Sequence, residues 1–287
     1  MVVDQLVTGL TLGSQYALVA GGLALIFSVV GIANFAQGEF YMVAAFMIYG
    51  LESRGLPYFA DCVITLAGMA VFGLVVYGVA LRPVTGRGWE TQLVSTLAVS
   101  LLLTNLAIAA FGSLPELVRS PFTAPTVSIG PTHVSDQRLL VFAATLMALA
   151  VLGGTVKFSK IGKGMRAVSQ NREAAVIMGI PVRRVEMTAV VIGCVFAGVA
   201  AVTIAPLGTV TPTIGAPLTI KAFAAVVMGG FGNITGPIVS GLVLGLVEAY
   251  AAGYISSAYA DAFVFGVMIA ILVVRPRGLF GRAVRAA

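Results

Sequence analysis

Few residues of this chain are of types that do covalent or acid–base chemistry, and their surroundings say more than their spacing. The single histidine, His133, stands in a connecting stretch, where a lone imidazole is ordinarily solvated. Cys62 and Cys194 each lie inside an apolar run without Cys or His at ligand spacing, so both read as small hydrophobes. No His-Glu-x-x-His helix, nucleophile elbow or G-x-x-x-x-G-K-[ST] phosphate loop occurs. Catalysis, metal binding and ATP binding by the chain itself are therefore not expected. What remains is a set of polar side chains embedded in apolar sequence: Asn34, Gln37 and Glu39 in GIANFAQGEF, and Lys221 and Glu248 further on. Their chemistry is hydrogen bonding and ion pairing.

Each set has two readings. Asn34 suits the N-cap of a following helix, with Gln37 reaching back as in a capping box and Glu39 in the first turn, where the helix dipole favours a carboxylate. Alternatively the three line the inner part of a transport pathway, since ionisable residues at membrane depth are functional candidates by default. Lys221 lies eight residues before Gly229, and Glu248 eleven after Pro237. At a rise of about 1.5 Å per residue, antiparallel helices across that connection bring the two to depths about 4 Å apart. A structural ion pair is expected, because an unpaired charge in hydrocarbon costs several kcal/mol. The alternative is that they face a substrate.

The elements that must hold these groups are membrane helices. The 287 residues are 59% hydrophobic and only 10% charged, with a mean hydropathy of +1.03. A soluble domain carries about 25% charged residues, so this surface faces lipid. Apolar segments lie near 5–29, 36–51, 60–81, 91–112, 139–156, 186–205, 219–228, 236–253 and 258–274. A spanning helix needs about 20 residues. Segment 36–51 is short for that, and 219–228 is too short to cross alone. The fold class predicted is an all-α polytopic bundle of 8–9 spans, in one domain over 1–287.

Orientation follows from the basic residues. Connection 82–90 carries Arg82 and Arg87; 157–185 carries Lys157, Lys160, Lys163, Arg166, Arg172, Arg183 and Arg184; the tail carries Arg275, Arg277, Arg282 and Arg285. Lys and Arg concentrate on the cytoplasmic side. These regions are therefore expected inside, with the N-terminus outside. The first apolar run begins at once, with no basic residue before it, and reads as a retained span rather than a cleaved signal. The net charge of +6 reflects this orientation and not a nucleic-acid partner.

Two stretches break the helical pattern. PLGTVTPTIGAPL at 206–218 contains Gly208 and Pro212, and GGFGNITGP at 229–237 contains Gly229, Gly230, Gly232 and Pro237. They are either hinges along a transport path or ordinary surface connections. Gly9-x-x-x-Gly13 and Gly241-x-x-x-Gly245 are sites where helices approach closely.

The loop 157–185 is the most informative soluble stretch. Asn171 suits a helix N-cap, Glu173 sits near the positive end, and Gly179 with Pro181 forms a stop signal. A short helix near 172–178 would present Ala174 and Ala175 as a smooth surface, with Val176, Ile177 and Met178 able to fill a groove. It either docks into a partner protein or lies on the anionic inner leaflet. Glu173-Ala174-Ala175-x-x-x-Gly179 resembles the EAA loop of ABC-importer permeases, where a coupling helix fits a groove on the ATPase.

Three stretches, 9–42, 162–182 and 221–248, resemble the branched-chain (hydrophobic) amino acid ABC permeases of the LivH type. The resemblance implies a permease of the bacterial cytoplasmic membrane that pairs with a second, LivM-type permease chain, two ABC ATPase subunits and an extracytoplasmic substrate-binding protein. It implies that ATP-Mg is held by those ATPases, with no cofactor on this chain. Relatives of this type also carry urea, short amides or aromatic acids, which leaves those solutes as alternatives. A further alternative, of another class, is an ATP-independent secondary transporter or channel, against which the EAA string argues.

Overall fold

Backbone inside a bilayer has no water to bond, so long apolar runs must satisfy their own N–H and C=O groups as helices. The computed structural model describes residues 2–129 and 132–281. Arg282 and Arg285 of the expected basic tail lie outside the described residues. The helices are α1 (Val2–Val30), α2 (Gln37–Glu52), α3 (Tyr58–Val76), α4 (Trp89–Phe111), α5 (Asp136–Phe158), α6 (Lys160–Gln170), α7 (Arg172–Ile177), α8 (Val182–Ile204), α9 (Gly215–Gly229), α10 (Thr235–Tyr254) and α11 (Ala260–Val274). A π turn (Tyr77–Leu81) and a 3-10 turn (Arg82–Val84) prolong α3. Two antiparallel ribbons complete the described residues: β1 (Glu116–Leu117) with β4 (Thr209–Val210), and β2 (Thr126–Ile129) with β3 (Thr132–Ser135).

Seven helices are long and apolar enough to cross a membrane among the described residues. The nine expected segments therefore divide into seven long enough to cross, the last being α11 together with the 3-10 turn before it (Ser257–Tyr259), and two short ones, α2 with 16 residues and α9 with 15. The expected 219–228 begins earlier, at Gly215, because Gly-Ala-Pro-Leu opens a helix as well as it makes a loop. Proline in a first turn loses no intrahelical bond.

Composition decides which helices sit inside. Helix α1 is rich in Gly, Ala and Ser, and from Gly9 onward it is mostly buried among α10, α8, α9 and α5. Helices α4 and α11 carry bulky aliphatics such as Leu101, Leu102, Ile269 and Val273 on exposed faces. Small residues let backbones approach where no hydrophobic force draws helices together in lipid. The two Gly-x-x-x-Gly strings meet one another: a Cβ on Gly13 would stand 2.9 Å from the Leu242 backbone, and one on Gly245 would strike the backbone of Gly13.

Backbone cannot rotate aside as a side chain can, so Gly245→Ala is expected to cost about 1–3 kcal/mol through forced separation of α1 and α10. Gly266 in α11 has nothing within 4 Å of such a Cβ. Gly266→Ala is expected to be neutral or mildly stabilising. Equilibrium unfolding of both variants in mixed micelles checks the contrast, and equal stabilities would contradict the packing.

Candidate functional site

The 157–185 connection holds two helices where the sequence predicted one. Ser159 caps α6, its Oγ accepting from Gly162 N at 2.9 Å. Asn171 ends α6 and caps α7, its Oδ1 accepting from Ala174 N at 2.9 Å. At the far end Gly179 has φ +75°, with Gly179 N bonded to Val176 O and Ile180 N to Ala175 O, both at 3.0 Å. This paired pattern is the Schellman stop, which requires a left-handed residue at Gly179. Glu173, Ala174, Val176, Ile177 and Met178 are exposed. Ala175 is not: it is buried against the bundle, so the smooth two-alanine surface reduces to Ala174. Adjacent residues on a helix point about 100° apart, and α7 lies on the protein with one of them inward.

The sequence reading missed how α7 is tied down. Arg172, its first residue, holds the buried carboxylate of Glu186 on α8 through Nε at 3.0 Å and a second guanidinium nitrogen at 2.9 Å. The other oxygen of Glu186 accepts from Tyr77 Oη at 2.9 Å, in the π turn that prolongs α3. One carboxylate thus joins the exposed helix to two long helices. The available signal was a lone acid, Glu186, at the start of an apolar run.

Asn34, Gln37 and Glu39 are buried together. The capping box does not form. Helix α2 starts at Gln37; Asn34 Oδ1 instead accepts from Ala36 N at 3.1 Å, and its amide donates to Gln37 Oε1 at 3.2 Å. Gln37 Nε2 turns away to Gly193 O on α8, at 3.2 Å. Residues 31–34 stay non-helical, and Ile32, Asn34 and Ala36 are buried.

Glu39 stands in the first turn of α2, as the sequence placed it, and also beside the first turn of α9. Gly38 N donates to Thr219 Oγ1 at 2.8 Å, and Thr219 Oγ1 lies 3.5 Å from Glu39 Oε2. Gly38 and Gly215 allow this, since a Cβ on Gly38 would fall on Gly215 O. Two helix N-termini therefore converge on one fully buried carboxyl group, that of Glu39. Two short helices meeting head to head inside a bundle are an arrangement suited to a polar site at membrane depth.

Lys221 of α9 and Glu248 of α10 are in contact, Nζ to Oε1 at 2.9 Å. They are not alone. Lys221 also reaches Asp261 Oδ1 of α11 at 2.8 Å, and Tyr16 Oη of α1 donates to Glu248 Oε2 at 2.7 Å. The cluster ties four helices. Asp261 and Tyr16 escaped the sequence reading because neither lies near the 229–237 connection in the chain.

The expected breaks are shorter than the sequence suggested, spanning 205–214 and 230–234. Gly208 follows a 3-10 turn (Ala205–Leu207), and Pro212 is buried between β4 and α9. Pairing of β4 with β1 satisfies the backbone there. Gly229 ends α9 against the backbone of Gly236 and Pro237, while Gly230 and Gly232 turn the chain at φ +99° and +82°. The tail closes over this turn: Leu279 N donates to Met228 O at 2.8 Å and Phe280 N to Gly229 O at 3.1 Å.

Comparison with known proteins places the chain among transport permeases. Residues 5–272 match the family described as branched-chain amino acid transport system / permease component. The chain is 32% identical to the high-affinity branched-chain amino acid transport system permease protein BraD of Pseudomonas aeruginosa, over 97% of this chain and 95% of that one. It is equally 32% identical to the LivH permease protein of Escherichia coli K12, with the same coverage. Among solved structures, PsaBC from Streptococcus pneumoniae in complex with Fab shares the fold, with a TM-score of 0.53 at 11% identity over 94% of this chain and 91% of that one.

Proposed function

This chain belongs to the branched-chain amino acid transport system permease family, and on that premise we propose that it forms half of the translocation pathway of an ATP-driven importer for branched-chain amino acids. The observation that carries the coupling part of this reading is α7: a capped and stopped helix, exposed at Glu173, Val176, Ile177 and Met178, in the middle of the most basic connection. A partner ATPase receives that face in a groove, and movement of α7 passes through Arg172 and Glu186 to α8 and α3. ATP-Mg resides in two such ATPases. A second, LivM-type permease chain completes the pathway, and an extracytoplasmic binding protein delivers the solute.

In this reading the basic connections face the cytoplasm of a bacterial inner membrane, with the N-terminus outside. Asn34, Gln37 and Glu39, at the head-to-head junction of α2 and α9, are the polar groups of an otherwise apolar path. The turns at Gly208–Pro212 and Gly229–Pro237 are where the half-helices hinge. The cluster of Lys221 and Glu248 holds the helices beside that path.

The test is purification of the chain from its native membrane, followed by ATPase and uptake assays with branched-chain amino acids and the binding protein. ATPase subunits are expected to co-purify, and the isolated chain is expected to hydrolyse no ATP and to move no solute in liposomes. Gly179→Val puts a β-branched residue at a left-handed position, at a cost of about 1–3 kcal/mol. It is expected to lower uptake while leaving the protein level unchanged. Normal uptake by this variant would make α7 a lipid-surface helix, and uptake by the isolated chain would point to a secondary transporter.

A further inference from the structure

The groove between α6 and the start of α8 has a composition that coupling does not require. It encloses about 850 Å³, and its walls are Ile161, Ile180 and Met187 with Lys160, Lys163 and Arg184 at its edge. None of the three cations has a carboxylate partner among the described residues, where the side-chain ion pairs are those of Arg172 and Lys221. Within 157–185 the only acid is Glu173, against seven basic residues. Helix α6 itself is amphipathic, burying Met165 and Val168 and exposing its lysines. The groove therefore joins uncompensated positive charge to an apolar wall, at the level where α5 ends and α8 begins.

We propose that this groove binds one anionic phospholipid. The phosphodiester meets Lys160, Lys163 and Arg184, and the first carbons of the acyl chains lie along Ile161, Ile180 and Met187. A free phosphate or nucleotide would use the cations but leave the apolar wall in water; a lipid uses both. An acidic surface of a partner protein would satisfy the charges too, but it would leave the apolar wall, with Ile161 itself exposed, without the acyl chains that suit it. Gly179 and Pro181 line the same groove. The lipid thus packs against the exit of α7 and holds the helix in register with the bundle.

The experiment is native mass spectrometry of the full chain, with the subunits that co-purify, after exchange into detergent containing phosphatidylglycerol or phosphatidylcholine. One phosphatidylglycerol is expected to be retained in preference to phosphatidylcholine. Each of Lys160→Gln, Lys163→Gln and Arg184→Gln is expected to weaken that retention about fivefold. Ala167→Trp keeps every charge but fills the groove, and is expected to abolish retention, which separates a built site from general surface attraction. Equal retention of the two lipids, or unchanged retention in the triple Gln variant, would overturn the proposal. So would efficient cross-linking of a cysteine at Ile161 to a partner subunit, which would give the groove to a protein interface.

Discussion

Arg172→Met is expected to destabilise the chain by about 2–3 kcal/mol, and by clearly more than Glu186→Gln. Removing one partner of a buried pair costs about 3–5 kcal/mol, because the other charge is left uncompensated. Here the two partners are unequal, since the Glu186 side chain is 3% exposed and that of Arg172 is 52% exposed. Loss of Arg172 strands the carboxylate with Tyr77 alone, whereas loss of the carboxylate frees a guanidinium that can reach water. Exposure of Arg172 also screens the interaction, which places the figure below that range. The double variant is expected to recover most of the stability that Arg172→Met alone loses. Unfolding in mixed micelles measures this, and a Glu186→Gln variant as damaged as Arg172→Met would contradict the asymmetry. In uptake assays, Arg172→Met is further expected to lose transport beyond its loss of stability, because α7 would no longer be tied to α3 and α8.

The second expected result concerns the four-helix cluster. Lys221→Met is expected to cost about 3–5 kcal/mol, since it leaves Glu248 with only the hydroxyl of Tyr16. Glu248→Gln is expected to cost less, because Lys221 keeps Asp261 at 2.8 Å. Asp261→Asn is expected to cost least, its side chain being 64% exposed against 13% for Lys221 and 14% for Glu248. The order Lys221→Met, Glu248→Gln, Asp261→Asn follows from the third partner; Lys221 and Glu248 alone would give two equal losses. Lys221→Met combined with Glu248→Gln is expected to approach wild-type expression. Additive damage in that double variant would show the two side chains to be energetically independent. Loss of uptake by Lys221→Met at full expression would instead make Lys221 a residue of the pathway.

Local rules carried the reading of α7 a long way. Its cap at Asn171, its acidic first turn and its stop at Gly179 all depend on neighbours within a few residues, and all were legible in the string NREAAVIMG. Helix α6 was overlooked because KIGKGMRAVSQ has two glycines and no apolar run; it is helical because Met165 and Val168 find a surface on the bundle. The capping box at Asn34 failed for the converse reason. Spacing allowed it, but α2 begins only at Gln37, which points its Nε2 at the Gly193 carbonyl of α8 and whose Oε1 accepts from the Asn34 side chain and not from a backbone N–H.

Membrane class, the approximate positions of the long apolar helices and family were determined by the sequence alone, since each is set by composition or by short-range pattern. The Lys221–Glu248 contact was also within reach, because one short connection and a helical rise constrain the relative depth of two groups. The partners drawn from distant helices were not: Tyr77 and Arg172 on Glu186, Asp261 and Tyr16 on the Lys221 pair, and Gly215 against Gly38. Those depend on which face each helix turns inward, and in lipid that choice is made by small residues and buried polar groups on other helices. An apolar helix carries little amphipathic signal of its own, so only tertiary packing decides which side chains meet.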